Sequence, residues 1–144
     1  MTSSVSPRLR AVVDALPLHA GMRVLEIGGA PGAAARLVAQ RVGPQGHVLV
    51  VDRSVRGVEL ARAACADEIA AGTMSVLCAA VEDLELPPGT VPFDLALACR
   101  VGVLDGRHPS GRDRALARLA EALVPGARLY LDTGDPLDEV VLGG

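Results

Sequence analysis

Val24-Leu25-Glu26-Ile27-Gly28-Gly29-Ala30-Pro31-Gly32 is the stretch that decides the fold. With Arg23 in front, the run to Ile27 reads as a buried strand carrying one acid, cut off by the glycine loop 28–32. Glycine lets the backbone turn sharply and approach a ligand closely. The Ala-rich segment 33–42 then reads as a helix, whose N-terminus offers free N–H groups to a carboxylate or phosphate. Strand, glycine loop and helix in immediate succession open a βαβ arrangement.

Outward from this unit the alternation continues. Upstream, Ser6-Pro7 has the form of an N-cap with proline at the first helical position, and Leu9, Val12, Val13 and Leu16 fall on one face of a leading helix that ends at Pro17. Downstream, Gly43-Pro44 stops the second helix and His47 to Val51 forms a second strand ending at Asp52. Ser54 caps a helix over roughly 55–70, and Met74 to Cys78 is a third strand. A helical turn around Glu82 to Leu84 and a Pro/Gly loop lead to a fourth strand, Phe93 to Cys99. After a polar loop, 100–110, Ser110 caps a helix with Leu116, Leu119, Ala120 and Leu123 inward. Pro125-Gly126 ends it, and Ala127 to Leu131 is a fifth strand. Short apolar strands alternating with amphipathic helices call for a doubly wound α/β domain with a mostly parallel, five-stranded sheet covered on both faces. One domain over residues 1–144 is expected, with 1–20 as a leading helix and 132–144 as a short tail.

The chain has 144 residues, half of them in the set AVILMFWYC, which suffices for one core without metal or disulfides. Three cysteines, Cys65, Cys78 and Cys99, lie in apolar stretches without C-x-x-C spacing, so reduced thiols and no metal site are expected. No uncharged run reaches the roughly 18 residues of a membrane span, and Arg8, Arg10 and Asp14 interrupt any signal-peptide core; a soluble cytoplasmic protein is expected. Fourteen basic against 17 acidic residues give a formal charge of −3, and Phe93 and Tyr130 are the only aromatics. Neither feature favours a nucleic acid partner. There is no Lys, which excludes chemistry needing a lysine nucleophile or base.

In doubly wound sheets the ligand lies beyond the carboxyl ends of the strands where strand order reverses, which here is residues 28–32. Asp52, at the tip of the second strand, is placed to accept hydrogen bonds from both hydroxyls of a ribose. A tight βα turn with a helix-capping acid is the plainer reading of the same residues. Glu26 separates the ligands: an acid inside an apolar strand is expensive unless paired. A ligand ammonium would pair it, whereas a dinucleotide pyrophosphate would be repelled.

The stretch 24–32 resembles the first motif of class I S-adenosylmethionine-dependent methyltransferases, with their Rossmann-like core. The resemblance runs on through Val50-Val51-Asp52-Arg53-Ser54, Val81-Glu82-Asp83-Leu84, Phe93-Asp94-Leu95 and Leu123-Val124-Pro125-Gly126-Ala127-Arg128-Leu129. It implies S-adenosylmethionine as cofactor and S-adenosylhomocysteine as product. Glu26 would serve the methionine amino group, and Gly28, Gly29, Ala30 and Gly32 would wrap the methionine part. Asp52 would hold the ribose, Arg53 would lie along the adenine, Val81 would meet its edge, and Cys99 at the end of the fourth strand would border the site. Ala30 stands where a glycine is common and Ala80 where many members carry an aspartate for the adenine amino group, leaving Glu82 or Asp83 as candidates for that contact.

Methyl transfer is an in-line displacement that leaves little catalytic signature. The resemblance puts the acceptor near Cys99-Arg100-Val101-Gly102. Arg100 and Arg107 are candidates for an anionic small-molecule substrate and His108 for a base, against the plainer reading of solvated loop charges. The family's usual sixth and seventh strands are missing, so the fifth strand would present a bare apolar edge. Either the tail covers it or a second copy does, as a homodimer; a monomer by light scattering at high concentration counts against the dimer. The leading functional expectation is a small-molecule methyltransferase. A non-catalytic S-adenosylmethionine-binding domain acting through a partner and an NAD-binding Rossmann domain are the alternatives.

Overall fold

The structure, a computed structural model, describes residues 5–142. The strands are β1 (Arg23–Ile27), β2 (His47–Asp52), β3 (Met74–Cys78), β4 (Leu95–Ala98), β5 (Arg128–Leu131) and β6 (Asp138–Val141). The helices are α1 (Pro7–Ala15), α2 (Ala33–Val42), α3 (Val55–Ala64), α4 (Ala66–Ala70), α5 (Gly102–Asp105) and α6 (Arg112–Ala122), with a 3-10 turn at Val81–Asp83.

One sheet carries the order β3-β2-β1-β4-β5-β6, parallel except for β6. From β1 the chain winds outward through β2 to β3, then crosses back to lay β4 and β5 on the other side. The order therefore reverses between β1 and β4, and a crevice opens at their carboxyl ends.

Successive side chains of a strand point to opposite faces. Val24, Val48, Val50, Leu95 and Leu97 meet α1, α2 and Cys65 in one apolar layer. Leu25, Ile27, Leu49, Val51, Ala96 and Ala98 meet the 3-10 turn, α5 and α6 in the other. Period two puts Glu26 on the α1 and α2 side with Val24, opposite Val50 on β2 and Leu97 on β4. The helix starts follow local chemistry. Ser6 Oγ accepts from the Leu9 N–H at 3.2 Å and Pro7 opens α1, while Ser54 Oγ accepts from the Gly57 N–H at 3.0 Å.

The sheet has six strands rather than five. Residues 138–141 pair antiparallel with β5, with Arg128 and Glu139 2.9 Å apart and Thr133 Oγ1 donating to Asp138 Oδ2 at 2.6 Å. The tail thus covers the β5 edge, and that edge no longer supplies a reason for a second copy. The 55–70 helix is two helices, because the chain leaves helical geometry at Cys65, whose side chain is buried beside the glycine loop. The fourth strand is shorter than 93–99: Phe93 makes only an isolated bridge to Leu123. The 100–110 loop contains α5. The last helix is capped by Gly111 at φ +90° rather than by the Ser110 hydroxyl. Among the described residues no helix is long and apolar enough to cross a membrane.

Candidate cofactor site

Two cavities adjoin at the carboxyl ends of β1 and β4, and Gly28, Cys99 and Arg100 line both. The first, about 230 Å³, lies under α1 and includes Glu26, Gly29, Ala30, Arg8 and Asp132. The second, about 360 Å³, runs from Asp52 and Arg53 past Ala80, Val81 and Glu82 to Arg107, His108 and Ser110. Together they make a trough of the size that holds small cofactors.

The glycines are there for reasons of space. Gly28 has φ +75°, and a Cβ on it would lie 2.6 Å from the Cys99 carbonyl oxygen. A Cβ on Gly29 would run into the Glu26 carboxylate. Ala30 needs no such room: its methyl faces Gly57 on α3, so the departure from glycine is accommodated there.

Glu26 is fully buried, and neither carboxylate oxygen has a hydrogen-bond partner. Burial, with the Asp52 charge adding to it, pushes its pKa up to about 8. A cationic group entering the cavity would pair this acid and favour its ionised form.

Asp52 ties the two cavities together. Its Oδ2 accepts from the Ala30 N–H at 3.2 Å and its Oδ1 from the Ser54 N–H at 2.9 Å, and each oxygen keeps a lone pair for a ligand hydroxyl. Val81 is buried at the wall, and Arg53 is exposed at the rim. Of the two acids near Ala80, Glu82 lines the cavity, whereas Asp83 lies 2.6 Å from Arg114 of α6.

The acceptor-side candidates separate. Arg100 takes φ +55°, a left-handed conformation that side chains rarely adopt, and its N–H donates to Asp132 Oδ1 at 3.1 Å. Arg107 is held by Asp105, with Nε 2.9 Å from Oδ2; that hydrogen bond keeps the Asp105 carboxyl below its ordinary range. His108 packs its ring on Gly102 and lines the second cavity, whereas Glu26 lines the first. The Cys99 thiol is pushed up to about 12, first by burial and then by the Glu26 and Asp132 charges, so at neutral pH it is a thiol and not a nucleophile.

Sequence reasoning missed Arg8 and Asp132. Asp132 is buried at the end of β5; Arg8 Nη2 donates to its carbonyl oxygen at 2.7 Å and lies 3.8 Å from its Oδ2. The signal for Asp132 was present, since an acid closing an apolar strand is also what marks Asp52. Arg8 carries no such signal, because α1 meets β5 only in three dimensions.

Residues 24–126 match a family model described as a methyltransferase domain. The chain belongs to this family, that of the class I S-adenosylmethionine-dependent methyltransferases. It is 34% identical over 112 residues to the ubiquinone/menaquinone biosynthesis C-methyltransferase UbiE of Bordetella avium, covering 77% of this chain and 40% of that protein. It is 44% identical over 61 residues to a protein-L-isoaspartate O-methyltransferase of Methanothrix thermoacetophila, covering 42% of this chain and 29% of that one. The chain thus spans less than half the length of these curated relatives. The fold superposes on an S-adenosylmethionine-dependent methyltransferase from Thiobacillus denitrificans in complex with S-adenosyl-L-homocysteine. The TM-score is 0.66 at 20% identity, over 91% of this chain and 50% of that one.

Proposed function

We propose that this methyltransferase-family chain binds S-adenosylmethionine along the trough and transfers its methyl group to a small-molecule acceptor. The observation that carries the proposal is the buried, unpartnered Glu26 carboxylate lining the first cavity. An unsatisfied buried polar group costs on the order of 1–3 kcal/mol, more when charged, and a ligand ammonium removes that cost. A dinucleotide pyrophosphate brings the wrong charge, which sets this reading above the NAD domain that Asp52 alone would suit.

The residues present fit the donor. Glu26 takes the amino group, the 28–31 backbone the methionine part and Asp52 the ribose, with Arg53, Val81 and Glu82 around the nucleobase; Gly32 lines neither cavity and backs onto Cys65 instead. When bound, S-adenosylmethionine supplies an electrophilic methyl group on a sulfonium. The chain's own work is alignment and exclusion of water. Arg100, at the junction of the two cavities, offers a guanidinium to an anionic acceptor, whereas Arg107 is already engaged by Asp105. A small acceptor is supported by the quinone-biosynthesis relatives and by a chain with a formal charge of −3 and only two aromatic residues.

A donor-binding domain that works through a partner is the second reading, favoured by the candidate base His108 lining the second cavity and not the one that holds Glu26. Calorimetric titration with S-adenosylmethionine, S-adenosylhomocysteine and NAD tests the main proposal. Saturable binding of the first two alone supports it, and Glu26→Gln is expected to weaken both by about tenfold or more. Binding of NAD alone, or of none of the three, overturns it. Turnover with an anionic acceptor panel then separates the enzyme from the partner-dependent domain.

A further inference from the structure

The family match covers residues 24–126, yet the first cavity is completed by residues outside that span, among them two charged ones, Arg8 on α1 and Asp132 at the end of β5. They are 124 positions apart and joined by the 2.7 Å hydrogen bond from Arg8 Nη2 to the Asp132 carbonyl oxygen. Asp132 also accepts from the Arg100 N–H, so one buried acid ties α1, β5 and the loop after β4 around this cavity. The cavity therefore has an orphaned acid, Glu26, and an anchored guanidinium, Arg8, in a space of about 230 Å³.

An α-amino acid carries an ammonium and a carboxylate on the same carbon, so a site for one needs an acid and a base facing one small volume. Arg100 also lines the cavity but is shared with the second one, whereas Arg8 lines the first alone. One Arg8 N–H is used on Asp132, which leaves four of its five donors for a ligand carboxylate.

We propose that Arg8 reads the α-carboxylate of the donor's amino-acid end, with Asp132 as the positioning residue that holds Arg8 over the cavity. This rests on donor binding at Glu26. The competing explanation of the Arg8–Asp132 contact is a staple that merely fastens α1 to the sheet.

The test compares S-adenosylhomocysteine with its decarboxylated form, which keeps the amino group and lacks the carboxylate, on the wild-type chain and on Arg8→Gln, by calorimetry. The wild type is expected to prefer S-adenosylhomocysteine by about tenfold, a modest factor because the Arg8 side chain is 62% exposed and therefore screened. Arg8→Gln is expected to lose that preference, weakening on S-adenosylhomocysteine while binding the decarboxylated compound within about twofold of wild type. Arg8→Lys, which keeps the charge, retains part of the preference. Equal weakening of both ligands shows a staple and overturns the proposal, as does an unchanged preference. A wild type that binds both compounds equally also overturns it while leaving donor binding intact. A wild type that binds neither overturns donor binding itself. Ligand-free thermal unfolding shows whether Arg8→Gln is folded; should it not be, the wild-type preference and Arg8→Lys still decide.

Discussion

At the residue scale the chemistry centres on Glu26, and its behaviour with pH follows from burial. Its folded pKa lies near 8 against 4.5 for the free side chain, so between those values the unfolded chain has released a proton that the folded chain keeps. The associated stability is complete below about pH 4.5 and lost as pH rises through 8. Thermal unfolding of the ligand-free protein is expected to show this decline, and Glu26→Gln to flatten it. Ammonium binding favours the ionised form, so near pH 7 donor binding releases a proton. Calorimetry in buffers of different ionisation heat reads that release, with affinity rising up to about pH 8.

The two loop glycines predict failures of different weight. Gly29→Ala pushes on the Glu26 side chain from its carboxyl group back to Cγ, so it is expected to lower donor affinity, with a smaller stability cost than a backbone clash carries. Gly28→Ala meets a backbone carbonyl at positive φ, so it is expected to cost about 1–3 kcal/mol of folding stability as well, read by denaturant unfolding.

At the scale of elements, β6 and α1 do what no single residue does. β6 pairs with the β5 edge, and Val140 packs into the second apolar layer beneath it. Removing residues 138–144 is expected to lower the melting temperature and to cause concentration-dependent association through the uncovered β5 edge, measured by light scattering. Leaving the association state unchanged would show that β6 does not protect that edge. α1 buries Val12 and Val13 in the first layer and carries Arg8 to the mouth of the Glu26 cavity. Packing and recognition therefore share one helix.

At the scale of the molecule, the site exists only in the folded chain, because Glu26, Asp52, Cys99 and Asp132 come from four different strands or strand ends. A ligand that binds only the folded state stabilises it by about 2.7 kcal/mol at a hundred times its dissociation constant. Saturating S-adenosylhomocysteine is accordingly expected to raise the melting temperature, and NAD to leave it unchanged.

The sequence by itself determined the doubly wound fold, the place of the glycine loop, and the roles open to Glu26 and Asp52. These are local matters: hydrophobic period, strand-ending glycines, and an acid where only a paired acid is tolerable. The tertiary structure alone decided the rest. Asp138 to Val141 reads in sequence as a short helix or a short strand, and β5 makes it a strand by offering an unpaired edge. Ser110 against Gly111 as a helix cap is a choice of backbone angle invisible in residue type. Asp83 and Glu82 are equivalent in sequence, and only the approach of Arg114 on α6 takes one of them out of the site. Arg8 and Asp132 meet because α1 packs across the carboxyl end of the sheet, and a contact over 124 residues leaves no trace in local pattern.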